Sequence, residues 1–365
     1  MTHKIYRRLD VVKKNRCADV FFETGNLKKT KMINVKKRRT IMAKVKNFKT
    51  IFPAVSVPLN DDYSINEEEF RTYLRWIKSF YGKGIEGLVC NGHTGEITGL
   101  SREERRRVVE ICSEVCGDCM TIISGINCEN TIESIKMAKE AKEAGADGIL
   151  LMPPHMWLRF GMHKDAPYEY VKDVAEGADI DIIIHLYPAT SKAFYPVETL
   201  IKMCKEIDHV KCIKMGTRVT SIYEHDVRLL RQECPDISLI TCHDETLCVS
   251  WFPGMDGALI GFAGCVPELI CPAREVFANP DKHTLKEAQD WSDRIYHISQ
   301  AIYGGGQPSG EAHARLKEAL VQRGIFKSGL MRKPVLPLNQ EEKDWIAMGL
   351  KNSELPKVDM TQFEK

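Results

Sequence analysis

The chain has no long hydrophobic run: nothing in its 365 residues approaches the ~18–20 consecutive apolar residues that a bilayer-spanning helix needs. No membrane partner is expected on that ground. The marks of a leader are also missing. The first 49 residues are basic but contain no serine, in which a transit peptide is rich, and no apolar stretch of about 7–15 residues follows their charges to make a secretory signal. Two phosphate-binding signatures are missing as well. No G-x-G-x-x-G follows the first strand-like run, and the glycine-rich "YGGGQPSGE" at 303–311 lacks the GK[ST] ending of a phosphate loop. It reads as a linker between helices.

What is present is ordinary globular material, 43% hydrophobic and 28% charged. The net charge of +2 hides an asymmetry: residues 1–49 hold 16 Lys/Arg against 3 Asp/Glu, and the remainder holds 36 against 47. A basic head invites nucleic acid or anionic lipid. It has little apolar periodicity, however, and it precedes Met42, a second candidate start. Residues 1–46 are therefore expected to be a disordered, dispensable extension, with no nucleic-acid partner. Thirteen cysteines are scattered through helical and strand patterns, which points to reduced thiols in a cytoplasm rather than a disulfide framework. Cys112, Cys116 and Cys119 share the CxxxCxxC spacing of radical-SAM iron–sulfur ligands. Yet Cys112 and Cys116 close the amphipathic "SREERRRVVEICSEVC" and fit a core stripe.

After residue 50 the chain alternates two textures. Short apolar runs ("TIFPAVSVP", "GLVCNG", "MTIISGI", "GILLMPP", "DIIIHLYP", "VKCIKMG", "ISLITCHD", "GALIGFAG") are separated by helix-period segments. The runs are continuous rather than alternating, as strands of a parallel sheet covered on both faces should be. Asn66, Ser101 and Asn130 read as helix caps. Eight such strands predict a (β/α)8 TIM barrel over residues 47–280, followed by a helical extension over 281–365 with three helices.

In a barrel the chemistry belongs at the C-terminal ends of the strands. Those ends carry His93 and Thr94, His155, Tyr187, Lys214, and His243 with Asp244, and the eighth strand ends at Gly261. In "VKCIKMGT" the inward face is expected to hold Val210, Cys212 and Lys214, leaving Lys211 solvated. A buried ammonium is costly unless it is paired or loses its proton. Losing it makes the amine a nucleophile that forms an imine with a ketone, an electron sink for a neighbouring carbanion. Tyr187, on the adjacent strand at similar depth, is placed to move protons. Thr94 and the N–H groups of its turn are placed to hold a carboxylate beside the ketone.

"GLVCNGHTGE", "LYPATSK", "IKMGT" and "GMDGALIGFAG" stand in the order and approximate spacing of the dihydrodipicolinate synthase / N-acetylneuraminate lyase family, which the chain resembles from about residue 47 to 350. The resemblance implies a class I lyase acting on a 2-oxo acid such as pyruvate, with an aldehyde or sugar-acid partner, as aldolase, synthase or dehydratase. It implies assembly as a homotetramer or homodimer, and no cofactor beyond the covalent imine on Lys214. Lys214 matches the Schiff-base lysine and Tyr187 the proton-relaying tyrosine. Thr94 matches the carboxylate binder, with Gly95 and Glu96 completing its turn.

Four departures bear on the second substrate. His93 replaces a hydroxyl residue of the proton relay, and "PPHMW" replaces a tyrosine pair. Lys192 replaces a carboxylate-gripping arginine, whose bidentate fork a lysine does not reproduce. Pro188 replaces an asparagine. Lysine-pathway synthase activity is therefore not expected, and His93, His155, Lys192 and Gly261 are the candidate second-substrate contacts. Trp157 is similar to the tryptophan of the hydratase-aldolases of aromatic degradation. Two other readings stay open. The histidines, His185 included, suggest a class II metal aldolase, although only Asp244 supplies a carboxylate and no metal is expected. A non-enzymatic oxo-acid sensor is the third.

Overall fold

The computed structural model describes residues 44–304 and 309–364. The apolar runs form eight short strands: β1 (Ile51–Pro53), β2 (Gly87–Cys90), β3 (Thr121–Ile126), β4 (Gly148–Leu151), β5 (Asp181–His185), β6 (Val210–Met215), β7 (Ser238–Thr241) and β8 (Gly257–Ile260). They pair in parallel in the order β1-β8-β7-β6-β5-β4-β3-β2. The sheet closes between its ends through the Ala54↔Val89 bridge, with the Val55 N–H donating to Val89 O at 2.9 Å. Strand residues are buried nearly throughout, because alternate side chains enter the barrel or the helix layer and both are dry. Lys211, at the start of β6, is the exposed exception.

The helices around the sheet are α1 (Glu67–Lys78), α2 (Arg102–Cys116), α3 (Thr131–Glu143), α4 (Met156–Phe160), α5 (Ala166–Ala178), α6 (Val197–Glu206), α7 (Thr220–Glu233), α8 (Leu247–Trp251) and α9 (Pro267–Ala278). The expected caps are in place: Asn66, Ser101 and Asn130 side-chain oxygens accept from the N–H of Glu69, Glu104 and Glu133 at 3.1, 3.2 and 3.0 Å. Glu104 returns the bond to the Ser101 N–H at 2.8 Å, a capping box. This is the (β/α)8 barrel that the runs predict. Among the described residues no helix is long and apolar enough to cross a membrane.

Cys112 and Cys116 are buried core residues of α2, and all twelve described cysteines are free thiols. Cys119 lies in the turn before β3 rather than in the strand. The expected basic extension lies outside the described residues except for its last few. Of these, Lys44 pairs with Asp147 at 2.5 Å and Lys46 with Asp181 at 2.7 Å, at the starts of β4 and β5.

Three helices follow the barrel: α10 (Leu285–Tyr303), α11 (Gly310–Gln322) and α12 (Gln340–Asn352). They flank the glycine-rich linker as expected, although residues 305–308 within it lie outside the described ones. One buried ion pair ties them to the barrel. Lys317 of α11, fully buried, donates to Glu96 Oε1 at 2.5 Å and to Leu330 O at 2.8 Å. The Arg332 N–H takes the other carboxylate oxygen at 2.8 Å. Glu96 holds a left-handed φ of 56°, a conformation costly for a side chain of this kind, and these bonds hold it there. The turn after β2 is thus set by a helix more than 200 residues away. Burial still pushes the Lys317 pKa down with its partner beside it, so the pair acts as a positioning device more than a source of net stability. Lys317→Met leaves Glu96 buried and unpaired, and is expected to cost about 3–5 kcal/mol in a denaturant titration. Replacing both residues by apolar ones should recover most of that loss.

Candidate active site

The strand ends open into a cavity of about 390 Å³ at the C-terminal mouth of the barrel, lined by His93, Thr94, His155, His185, Tyr187, Lys214, Asp244 and Gly261. A second cavity of about 450 Å³ lies outside the barrel beside α7 and α8 and contains neither Lys214 nor Tyr187. The mouth is the chemically equipped one.

Lys214 stands one residue from the end of β6, between His185 on β5 and Ile240 on β7. Burial pushes its pKa below that of an ordinary lysine. Cys242 and Asp244 pull the other way, and the Arg218 guanidinium adds to the lowering. Gly216 keeps this end of the sheet closed, because a Cβ there would stand 2.0 Å from Leu186 O. Asp244 is itself raised to about 6 by burial, against hydrogen bonds from the Phe262 N–H at 2.8 Å and from Tyr303. It is therefore a carboxylate at neutral pH, one of the opposite charges facing the amine.

Tyr187 lies two residues past the end of β5, where it was expected to share the depth of Lys214. The β5–β6 register shifts by one residue at Lys211, and the residue paired with Lys214 is His185 instead. Tyr187 is carried above it. Its Oη meets His93 Nε2 at 3.3 Å, and the His185 and Tyr187 rings cross edge-on with centroids 4.9 Å apart. Burial raises the Tyr187 pKa and lowers that of His93 to about 3, with Lys214 adding to the latter. Both are neutral at physiological pH, so the contact is a hydrogen bond between neutral groups.

Thr94 is 7% exposed and sits in the turn after β2, where the N–H of Gly95 and of Ile97 donate to Gly92 O at 3.1 and 3.2 Å. The N–H groups of His93 and Thr94 have no backbone acceptor among the described residues. Gly261 leaves room above them: a Cβ would come 3.0 Å from Thr94 Oγ1. Gly95 serves the backbone, since a Cβ would press within 3.0 Å of Val55 O. These free donors form a nest suited to a carboxylate.

Three expected mouth residues lie elsewhere. His243 faces the outer cavity, with its ring 4.8 Å from Tyr223, because strand alternation sends Cys242 and Asp244 inward and His243 outward. Trp157 packs on Tyr170 and Tyr195 at 5.7 and 6.2 Å, and Leu158 lines the mouth in its place. Lys192 is exposed outside the cavity lining, and its ammonium donates to Arg159 O at 3.1 Å. His155 is in the cavity, 3.2 Å from Asn127. Two lining residues gave no sequence signal. Arg218 follows β6 and pairs with Glu245 at 2.5 Å, and His313 is brought in on α11. Neither belongs to a strand end. Among the described residues no three His, Cys, Asp or Glu side chains gather at metal-holding range.

Comparison with known proteins agrees with this geometry. Residues 47–353 match the model of the dihydrodipicolinate synthetase family. The chain is 27% identical to a 4-hydroxy-tetrahydrodipicolinate synthase of Bartonella bacilliformis, over 83% of this chain and 97% of that one. It is 28% identical to an uncharacterised DapA-like lyase of Pyrococcus horikoshii, over 80% and 95%. Its fold superposes on YagE of E. coli K12, a dihydrodipicolinic acid synthase family protein solved in complex with pyruvate, with a TM-score of 0.75, 20% identity and coverage of 84% and 99%. Lysine on β6, tyrosine after β5 and the G-H-T-G-E turn after β2 thus sit in a chain that belongs to the dihydrodipicolinate synthetase family, a family of lyases.

Proposed function

We propose that this chain is a class I lyase that joins or releases a 2-oxo acid such as pyruvate and an aldehyde through an imine on Lys214. The observation that carries the reading is a lysine whose burial favours the free amine, in one cavity with a tyrosine–imidazole pair and a carboxylate nest. The neutral Nζ attacks the keto carbon. The amine gives up its two hydrogens and the carbonyl oxygen departs as water, leaving a C=N bond that takes up one proton. Thr94 and the free N–H groups of its turn bind the neighbouring carboxylate. A proton then leaves the adjacent carbon, the enamine adds to the aldehyde carbon, and the new alkoxide takes a proton. Water finally returns the amine and frees the product. Cleavage is the same path reversed.

Tyr187 and His93 form the relay in this scheme. The imidazole stands where the synthases use a hydroxyl, and the neutral pair supplies one proton and one acceptor in either direction. The imine is itself the electron sink, so the scheme calls on no cofactor. A homotetramer or homodimer in the cytoplasm belongs to the same proposal. It is supported by free thiols throughout the described chain and by apolar Val249 and Phe252 exposed at α8.

Incubation with pyruvate and borohydride should leave a reduced adduct on the peptide carrying Lys214. No adduct with any small 2-oxo acid, in a folded sample, would sink the reading. Tyr187→Phe should lower turnover by about 10²–10⁴-fold while the pyruvate adduct still forms. Asp244→Asn removes a negative charge that favours the ammonium. The acidic limb of the pH profile for adduct formation, set by protonation of Lys214, should therefore move to lower pH. A limb that stays in place or moves up contradicts the assignment.

A further inference from the structure

The outer cavity of about 450 Å³ beside α7 and α8 has no part in the imine scheme. Two side chains that line it are buried with hydrogen-bonding capacity unmet. Thr217 is fully buried, and its Oγ1 has no partner among the described residues. His243 is 5% exposed, and its Nε2 has none either. A buried polar atom in that state carries an uncompensated desolvation cost unless something entering the site satisfies it. Two such atoms in one cavity mark a place for the polar end of a ligand. At the other extreme of the same lining, Val249 and Phe252 are exposed and apolar, with Pro253 beside them.

The charges that line this cavity are already matched. Arg218 spends all five N–H donors, on both oxygens of Glu245, on Gly216 O, and on the Sγ and O of Cys242. Arg228 pairs with Glu224 at 2.6 Å. Burial first, then the charge of Arg218, holds the His243 ring at about 3, so it is neutral at physiological pH. A charged ligand would enter with no partner of its own. A hydroxyl fits better. It gives one hydrogen bond and accepts another, and so serves Thr217 Oγ1 and His243 Nε2 whichever ring nitrogen carries the proton. We propose that the outer cavity binds an uncharged small molecule with a hydroxyl head and an apolar body. The head bonds Thr217 and His243, and the body lies against Val249, Phe252 and Pro253. The site is distinct from the imine cavity: Cys242 and Asp244 line the inner one, whereas His243 and Glu245 line the outer, with Arg218 shared between them. The assembly proposed above uses the same exposed Val249 and Phe252. An apolar contact there leaves the two buried polar atoms unsatisfied, so the two readings do not compete.

The probe is 2-phenylethanol, titrated against the full chain by saturation-transfer NMR. Phenylacetate and 2-phenylethylammonium are titrated beside it, since they keep the skeleton and put an anion or a cation where the hydroxyl stands. The alcohol is expected to bind saturably and ~10-fold or more tightly than either ion, because neither charge finds a free partner. Thr217→Val and His243→Leu each remove one hydrogen-bonding atom at similar volume, and each should weaken the alcohol by ~10-fold. Val249→Trp changes an exposed position of the lining, and should block the cavity and abolish binding with the circular dichroism spectrum unchanged. It decides the matter if the two buried variants do not fold. No saturable binding of the alcohol by the wild type would overturn the proposal. So would an ion that binds as tightly, or an affinity that none of the folded variants moves. Pyruvate enters none of these titrations, so their outcome is independent of the imine on Lys214, which stands or falls with the trapped adduct.

Discussion

An ammonium group held at the mouth of a closed parallel barrel is the constraint on which the site turns. Water would stabilise the charge of Lys214, and the packing of β5, β6 and β7 around it removes much of that water. Asp244 returns part of the lost stabilisation, and burial raises the Asp244 carboxyl as well. The two groups therefore sit closer in proton affinity than a free lysine and a free aspartate do. The neighbours follow from the same condition. Arg218, four residues along the chain, is paired with Glu245, and burial holds His93, His185 and His313 neutral. A cavity that sets neutral imidazoles and a phenol around one amine and its facing carboxylate suits a reaction in which charge appears briefly and moves.

The C-terminal helices take part in this site rather than merely packing beside the barrel. Through Glu96, Lys317 fixes the strained turn that presents His93 and Thr94. Four residues earlier on the same helix, His313 enters the cavity. One helix thus both sets the turn after β2 and contributes to the cavity wall. Displacement of α11 would disturb the turn after β2 and the cavity wall at once.

The barrel was legible because parallel strands buried on both faces leave continuous apolar runs, and eight of them alternate with capped helices. Lys214 stood out because a charge in such a run is an exception that demands a reason. The site's details were less legible where they depend on alternation and register. The β5–β6 pairing, shifted by one residue at Lys211, sets His185 beside the amine where an unshifted register would set Leu186, and Tyr187 lies two positions past His185. The outward turn of His243 follows from counting strand positions one by one from Cys242. Trp157 and Lys192 were placed by likeness to a loop whose path is set by Tyr170, Tyr195 and the Arg159 carbonyl. His313 lies in an ordinary amphipathic helix. Packing of α11 on the barrel, which includes the pairing of Lys317 with Glu96, brings it to the mouth, and sequence spacing carries no trace of a contact across 221 positions.

The central claim is that burial shifts Lys214 toward the free amine. Lys211 provides an internal standard, since it sits three positions away on the same strand and is exposed. The decisive measurement is the pH dependence of acetylation of both lysines by acetic anhydride, read peptide by peptide in a mass spectrometer. The account predicts a midpoint for Lys214 clearly below that of the exposed Lys211. Equal midpoints, or a higher one for Lys214, would contradict it.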